Sequence, residues 1–242
     1  MSDITGQDQQ QNMRRVALTS LAGTSIEWYD FFLYATAAAV IFPIAFFPQE
    51  DPTTALLISF SSLAVGFLAR PLGGIVFGHF GDRIGRKRTL VVALMMMGIT
   101  TTLIGFLPTY ASIGIAAPAL LVLLRFVQGL AIGGQWGGAM LLVTESAPAN
   151  QRGWYGAYAQ AGAPIGVVLA NLAFIGVSSS MSDEAFMDWG WRLPFIASIV
   201  LIGISMYIQL KIEDTEAFRS LSNAQSDADK PVETVKRSPV IE

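Results

Sequence analysis

The sequence predicts an all-α membrane protein of six transmembrane helices. Three observations carry that prediction. First, 52% of its 242 residues are hydrophobic and only 14% are charged, against about 25% charged in an ordinary soluble domain. Second, the apolar residues fall into six runs, at residues 16–47, 54–78, 89–107, 115–143, 155–177 and 192–210, each close to or above the roughly 20 residues that a spanning helix needs. Third, Lys and Arg gather in alternate connections, the asymmetry that orients helical membrane proteins.

The remaining composition narrows the function. Twenty-three glycines without a glycine-rich linker point to helix packing rather than flexible spacers. A net charge of −3 offers no argument for a nucleic-acid partner. The absence of cysteine excludes disulfides and thiolate sites, and one histidine leaves little for a metal site. No cofactor is expected.

Residues 1–15 are polar, Gln-rich and end on Arg14-Arg15, and they read as a disordered cytoplasmic segment rather than a cleaved signal peptide. The first run carries Glu27 and Asp30 and ends at an acidic loop, residues 48–52. The second holds Arg70-Pro71 and leads into the most charged stretch of the chain, Gly78-His79-Phe80-Gly81-Asp82-Arg83-Ile84-Gly85-Arg86-Lys87-Arg88, read as a basic loop. The third run carries no charge, and Pro108-Thr109-Tyr110 turns the chain into the fourth, which contains Arg125. Gly162-Ala163-Pro164-Ile165-Gly166 suggests a bend in the fifth. An acidic, Ser-rich loop precedes Trp191-Arg192 at the mouth of the sixth, and residues 211–242 form a polar tail. With the N-terminus cytoplasmic, Arg14, Arg15, Arg83, Arg86, Lys87, Arg88 and Arg152 share its side, and only Arg192 lies opposite. Both termini are therefore expected in the cytoplasm.

The charges inside the runs are the candidate functional residues. Glu27, Asp30 and Tyr34 share one helix face by their spacing. A carboxylate at a helix centre costs about 2.5–3.5 kcal/mol on insertion scales, so two on one face are expected to point into a bundle. There they either exchange protons and line a substrate path or form a structural pair with Arg70 or Arg125. Arg125, with Gln128 one turn on, needs an anionic partner, either a protein carboxylate or an anionic substrate. Pro71 and Pro164 free backbone carbonyls and are expected to bend their helices. Gly74 with Gly78, and Gly129 with Gly133 and Gly137, have the spacing that lets helices approach closely. His79 reads as an interfacial polar residue, and Asp82 and Arg86 have ion-pair spacing if their stretch is helical.

With these residues placed, the chain resembles the N-terminal half of a major facilitator superfamily transporter. Gly78, Asp82, Arg83, Gly85, Arg86 and Lys87 stand in register with that superfamily's motif between helices two and three. Arg125-Phe126-Val127-Gln128-Gly129 resembles its fourth-helix motif. Ile26-Glu27-Trp28-Tyr29-Asp30-Phe31-Phe32-Leu33-Tyr34, Ala69-Arg70-Pro71-Leu72-Gly73-Gly74 and Gly190-Trp191-Arg192-Leu193-Pro194-Phe195 narrow the resemblance to the metabolite:proton symporters, which carry shikimate, α-ketoglutarate, citrate or proline/betaine.

The resemblance implies one half, a 3+3 helix repeat, of a twelve-helix fold in the cytoplasmic (inner) membrane. It implies proton-coupled symport of an organic acid or zwitterionic osmolyte by alternating access. Glu27, Asp30, Tyr34, Arg125 and Gln128 would line the cavity, and Asp82 with the following arginines would latch the two halves. The implied partners are a small-molecule substrate, protons, the lipid bilayer and a second six-helix half. The alternative is a transport-inactive fragment, or a half-transporter that needs a second chain. An intramembrane protease, which Tyr29-Asp30 brings to mind, lacks its second motif, because His79 occupies the position three before Asp82.

Overall fold

The computed structural model describes residues 2–84, 86–147 and 150–212. Six helices of 21 residues or more dominate them: α1 (Ser2–Val40), α3 (Pro52–Ile84), α4 (Arg86–Phe106), α6 (Ala116–Ser146), α7 (Arg152–Ser178) and α9 (Arg192–Ile212). Three short helices lie between them: α2 (Phe42–Phe46), α5 (Tyr110–Ile113) and α8 (Asp183–Ala185).

The helix boundaries follow local chemistry. α1 starts at Ser2, so the Gln-rich segment read as disordered continues the helix. It contains no proline, and Gln, Met and Arg propagate a helix at little cost. The first apolar run breaks at Ile41, because Pro43 cannot donate a backbone hydrogen bond and restarts the chain as α2. α3 opens at Pro52, directly after Asp51. Asp51 accepts from the backbone N–H groups of Thr53 and Thr54 at 3.1 and 3.2 Å, with Pro52 in the first turn. Gly114, at φ 59°, closes α5 in a conformation cheap only for glycine. The acidic Ser-rich segment is partly helical too: Ser182 caps α8, which runs into a π-helical turn over Phe186–Gly190.

The basic stretch read as a loop is largely helical. α3 runs on to Ile84 and α4 begins at Arg86. No proline interrupts residues 72–84, and Gly78 and Gly81 each cost the helix only about 1 kcal/mol.

By length and composition, three helices among the described residues can cross a membrane, at Pro52–Phe80, Ala116–Gly133 and Arg152–Ser178. Asp183–Gly190 with Arg192–Ile204 makes a fourth, bent by 51°. α1 carries Glu27 and Asp30, and the apolar part of α4 is the shorter Val91–Phe106.

Three pairings hold the bundle: α1 with α7, α3 with α6, and α4 with α9. Each runs over glycine. A Cβ at Gly73 would overlap the Leu130 carbonyl; at Gly129, the Gly66 carbonyl; at Gly133, the Arg70 carbonyl. At Gly162 it would overlap Thr24, and at Gly166 it would lie 2.6 Å from the Tyr29 nitrogen. At Gly98 it would meet Ile202, and at Gly105 it would meet Ile196 and the Arg192 carbonyl.

The expected row on α3 therefore needs correction. Gly78 faces open space and Gly74 makes only an ordinary 3.6 Å contact, whereas Gly66 and Gly73, seven apart, carry the approach. Seven residues return to one helix face after two turns, so the seam follows that period rather than a single four-residue step. Both Pro71 and Pro164 lie inside continuous helices.

One large core cluster occupies the end of the bundle near α2. Phe42, Phe46, Trp191 and Phe195 pack ring against ring with centroids 5.3–6.3 Å apart, and Tyr34 joins them through Phe42 at 5.1 Å. Such pairs contribute about 0.5–1.5 kcal/mol each beyond their burial.

Candidate functional site: a carboxylate relay inside the bundle

The site is built where α1, α4 and α6 meet. Asp30 on α1 is 1% exposed, Arg125 on α6 is 1% exposed, and Gln128 is fully buried. Gln128 stands between the two charges. Its Oε1 accepts from Arg125 Nη1 at 2.6 Å, and its Nε2 donates to Asp30 Oδ2 and, at 2.8 Å, to Thr101 Oγ1. Thr101, from α4, donates to Asp30 Oδ1 at 2.5 Å. Each carboxylate oxygen thus has its own donor from a different helix. The acid–base pair is relayed through an amide rather than joined directly.

Arg125 is held on its other side by aromatic faces. Its guanidinium carbon lies 4.2 Å from the Tyr34 ring centroid and 5.7 Å from that of Phe31, within the range of cation–π attraction. Gly66 leaves room for it, since a Cβ there would lie 2.8 Å from Arg125 Nε. That nitrogen is buried with no hydrogen-bond partner. Tyr34 turns its hydroxyl away from Asp30, to Ser62 Oγ at 2.6 Å, and Ser62 Oγ donates to the Ser59 carbonyl at 2.5 Å.

Glu27 goes elsewhere. It is partly buried and lines a cavity of about 10 Å³ with Trp28, Phe31, Arg70 and Ile132, near the volume that one water fills. Glu27 and Arg70 attract each other there. The Arg70 guanidinium carbon also sits 4.3 Å over the Phe67 ring. The shared face of Glu27, Asp30 and Tyr34 therefore splits into two charge systems, with Phe31 between Arg70 and Arg125.

Of the basic motif, Gly78 and Arg83 are exposed, and the side chains of Asp82, Arg86 and Lys87, with all of Gly85, lie outside the described residues. Arg192 donates to the Asp188 carbonyl at 2.5 Å and to the Leu107 carbonyl at 3.4 Å, tying the start of α9 to the end of α4. Sequence reasoning missed Thr101 and Ser62. Thr101 lies in Thr100-Thr101-Thr102, the only polar run in an otherwise apolar segment, and that anomaly was the available signal.

A helical bundle with a buried acid and arginine can be compared with known proteins on both sequence and fold. The model of the sugar (and other) transporter family matches residues 16–241. The chain belongs to that family. It is a family of transporters rather than enzymes. Over 221 residues the chain is 52% identical to the inner membrane metabolite transport protein YhjE of Escherichia coli K12, covering 91% of this chain and 50% of that protein. It is 47% identical over 229 residues to the shikimate transporter of the same organism, covering 95% of this chain and 51% of that one. The fold matches the inward-open xylose transporter XylE from E. coli with a TM-score of 0.69 at 17% identity, over 92% of this chain and 58% of that one. The chain spans about half the length of the curated relatives it matches.

Proposed function

We propose that this chain forms one half of a proton-coupled transporter for a small polar metabolite. Asp30 is the proton site, and Arg125 holds its counter-charge through Gln128. The observation that carries the reading is Asp30 itself, a buried carboxylate bonded on both oxygens and set next to a buried guanidinium. Ionisable groups inside a membrane bundle mark proton and substrate paths. The YhjE and shikimate-transporter likenesses support transport of a metabolite across the inner membrane, with an organic acid as the favoured cargo.

The pairing of the helices supports a 3+3 repeat with six spans. If α1, α3 and α4 repeat as α6, α7 and α9, the α1–α7 contact maps onto α6–α3, α4–α6 onto α9–α1, and α4–α9 onto itself, and all of these pairs pack. Inverted repeats of this kind enclose a central site. The Lys and Arg asymmetry supports cytoplasmic termini.

The half-length coverage of the relatives favours a second reading alongside, in which transport needs a second six-helix half. One experiment addresses both. The chain is reconstituted in vesicles alone and with the C-terminal half of YhjE, and uptake of labelled shikimate and related acids is followed with and without an imposed proton gradient. Gradient-driven uptake in the two-part preparation is expected. Uptake indifferent to the gradient would remove the proton-coupled reading. Uptake by the chain alone would remove the need for a second half.

A further inference from the structure

We propose that Thr101 is the positioning residue that lets Asp30 carry its proton, its hydroxyl turning between two acceptors while the heavy atoms stay in place. This rests on the reading of Asp30 as the proton site. A threonine hydroxyl has one hydrogen to give and can accept two hydrogen bonds. Thr101 Oγ1 has three polar neighbours, Asp30 Oδ1 at 2.5 Å, the Met97 carbonyl at 2.9 Å and Gln128 Nε2 at 2.8 Å, which fill this capacity when Asp30 is protonated.

The two protonation states differ only in where the hydroxyl hydrogen points. With Asp30 charged, Thr101 donates to Oδ1 and accepts from Gln128. When a proton from a hydronium ion bonds to Oδ1 and leaves water behind, that oxygen becomes a donor and needs an acceptor. Thr101 then turns its hydrogen to the Met97 carbonyl and accepts from Asp30, while Gln128 still donates to it. The covalent O–H bond of Thr101 stays intact while its hydrogen bond moves from Oδ1 to the Met97 carbonyl, and the only proton gained is the one on Asp30. Gln128 cannot serve in this way. Its Nε2 only donates, and turning the amide over would set that nitrogen against Arg125 Nη1, to which Oε1 is bonded. Of the groups bonded to Asp30, Thr101 alone can both give and receive.

The charged and titratable groups around Asp30 are consistent with this division of labour. Glu27 and Tyr29 lie on α1 itself, Arg125 faces it from α6, and Arg70 reaches Glu27 from α3. α4 contributes the Thr101 hydroxyl, α9 contributes Ser198 beside Tyr29, and α7 approaches α1 through Gly162 and Gly166. Among these the arginines are donors only, so they cannot take the Asp30 hydrogen.

The test is infrared difference spectroscopy of the full chain in lipid vesicles, titrated from about pH 4 to about pH 9, a range that covers ordinary and displaced carboxyl groups. The Asp30 carboxyl band is assigned by its loss in Asp30→Asn. Thr101→Ser, which keeps the hydroxyl, is expected to leave the band where it is. Thr101→Val and Thr101→Ala are both expected to displace it to the position of a carboxyl without an acceptor. Thr101→Ala adds no bulk and gives the reading where the valine variant fails to fold. A band unmoved by either hydroxyl-removing variant would overturn the role of Thr101 and leave Asp30 as the proton site. A spectrum with no titrating Asp30 band would overturn both.

Discussion

Asp30 and Glu27 lie three residues apart on one helix, close enough to feel each other's charge, and have different partners. Asp30 is held on both oxygens by side chains from two other helices, and its counter-charge arrives through an amide. Glu27 opens on a cavity of about 10 Å³ and faces the half-buried Arg70. A charge bonded from several helices depends on their arrangement and reports it. A charge beside a cavity has water available and is less bound to any one arrangement. On the proposed reading the coupling role falls to Asp30 and a supporting one to Glu27, although sequence spacing made the two look equivalent.

The sharpest way to break this comparison is to exchange charge for amide at each position. Asp30→Asn is expected to abolish gradient-driven uptake in the reconstituted two-part transporter, whereas Glu27→Gln should retain most of it. Equal losses from the two variants would dissolve the distinction. Next in size are the arginines. Arg125→Leu strands a buried acid and amide, and should lower stability by about 3–5 kcal/mol, read as thermal or denaturant midpoints in detergent. Arg70→Leu is expected to cost under about 1 kcal/mol, as for other partly exposed ion pairs.

The glycine seams bear on the comparison because they set the approach of α3 and α6, which carry the two arginines. Gly129→Ala and Gly73→Ala should each cost about 1–3 kcal/mol, because the added methyl meets a backbone carbonyl. Gly78→Ala should instead gain up to about 1 kcal/mol, since nothing lies near it and alanine is the better helix former. The smallest effect expected is at Asp51. Hydrogen bonds from Thr54 and Thr53 hold its carboxyl below the usual range. Its contribution is thus fully present above the unfolded carboxylate value and is lost as pH falls through the lower folded one. A small acid-side decline in melting temperature that disappears in Asp51→Ala is the expected result.

Much of this was legible in the sequence, and the limits have physical causes. The apolar runs, the buried acids and Arg125-Gln128 could be read directly, because charge in an apolar segment is costly and so conspicuous. Thr101 could not be assigned in the same way, because a threonine in an apolar helix can always bond its own backbone four residues back, as Thr102 does to Gly98. Which threonine faces an acid depends on how α4 is rotated against α1, and that is set by packing. The glycine row was misplaced for a related reason. Gly73 and Gly74 are adjacent in sequence, and only the rotation of α3 decides which one meets α6. The helical continuation to Ile84 was hidden by the glycines and charges that usually mark a loop.

The seam between α3 and α6 has a mechanical consequence. Gly73, Gly129 and Gly133 bring backbone against backbone, so over those turns few rotamers can rearrange and there is little slack to absorb displacement. The two helices are therefore expected to travel as one lever. Arg70, whose carbonyl lies against Gly133, and Arg125, whose side chain fills the space at Gly66, ride on it together. A push on either guanidinium is then expected to reach the other, so that the surroundings of Glu27 and Asp30 change together.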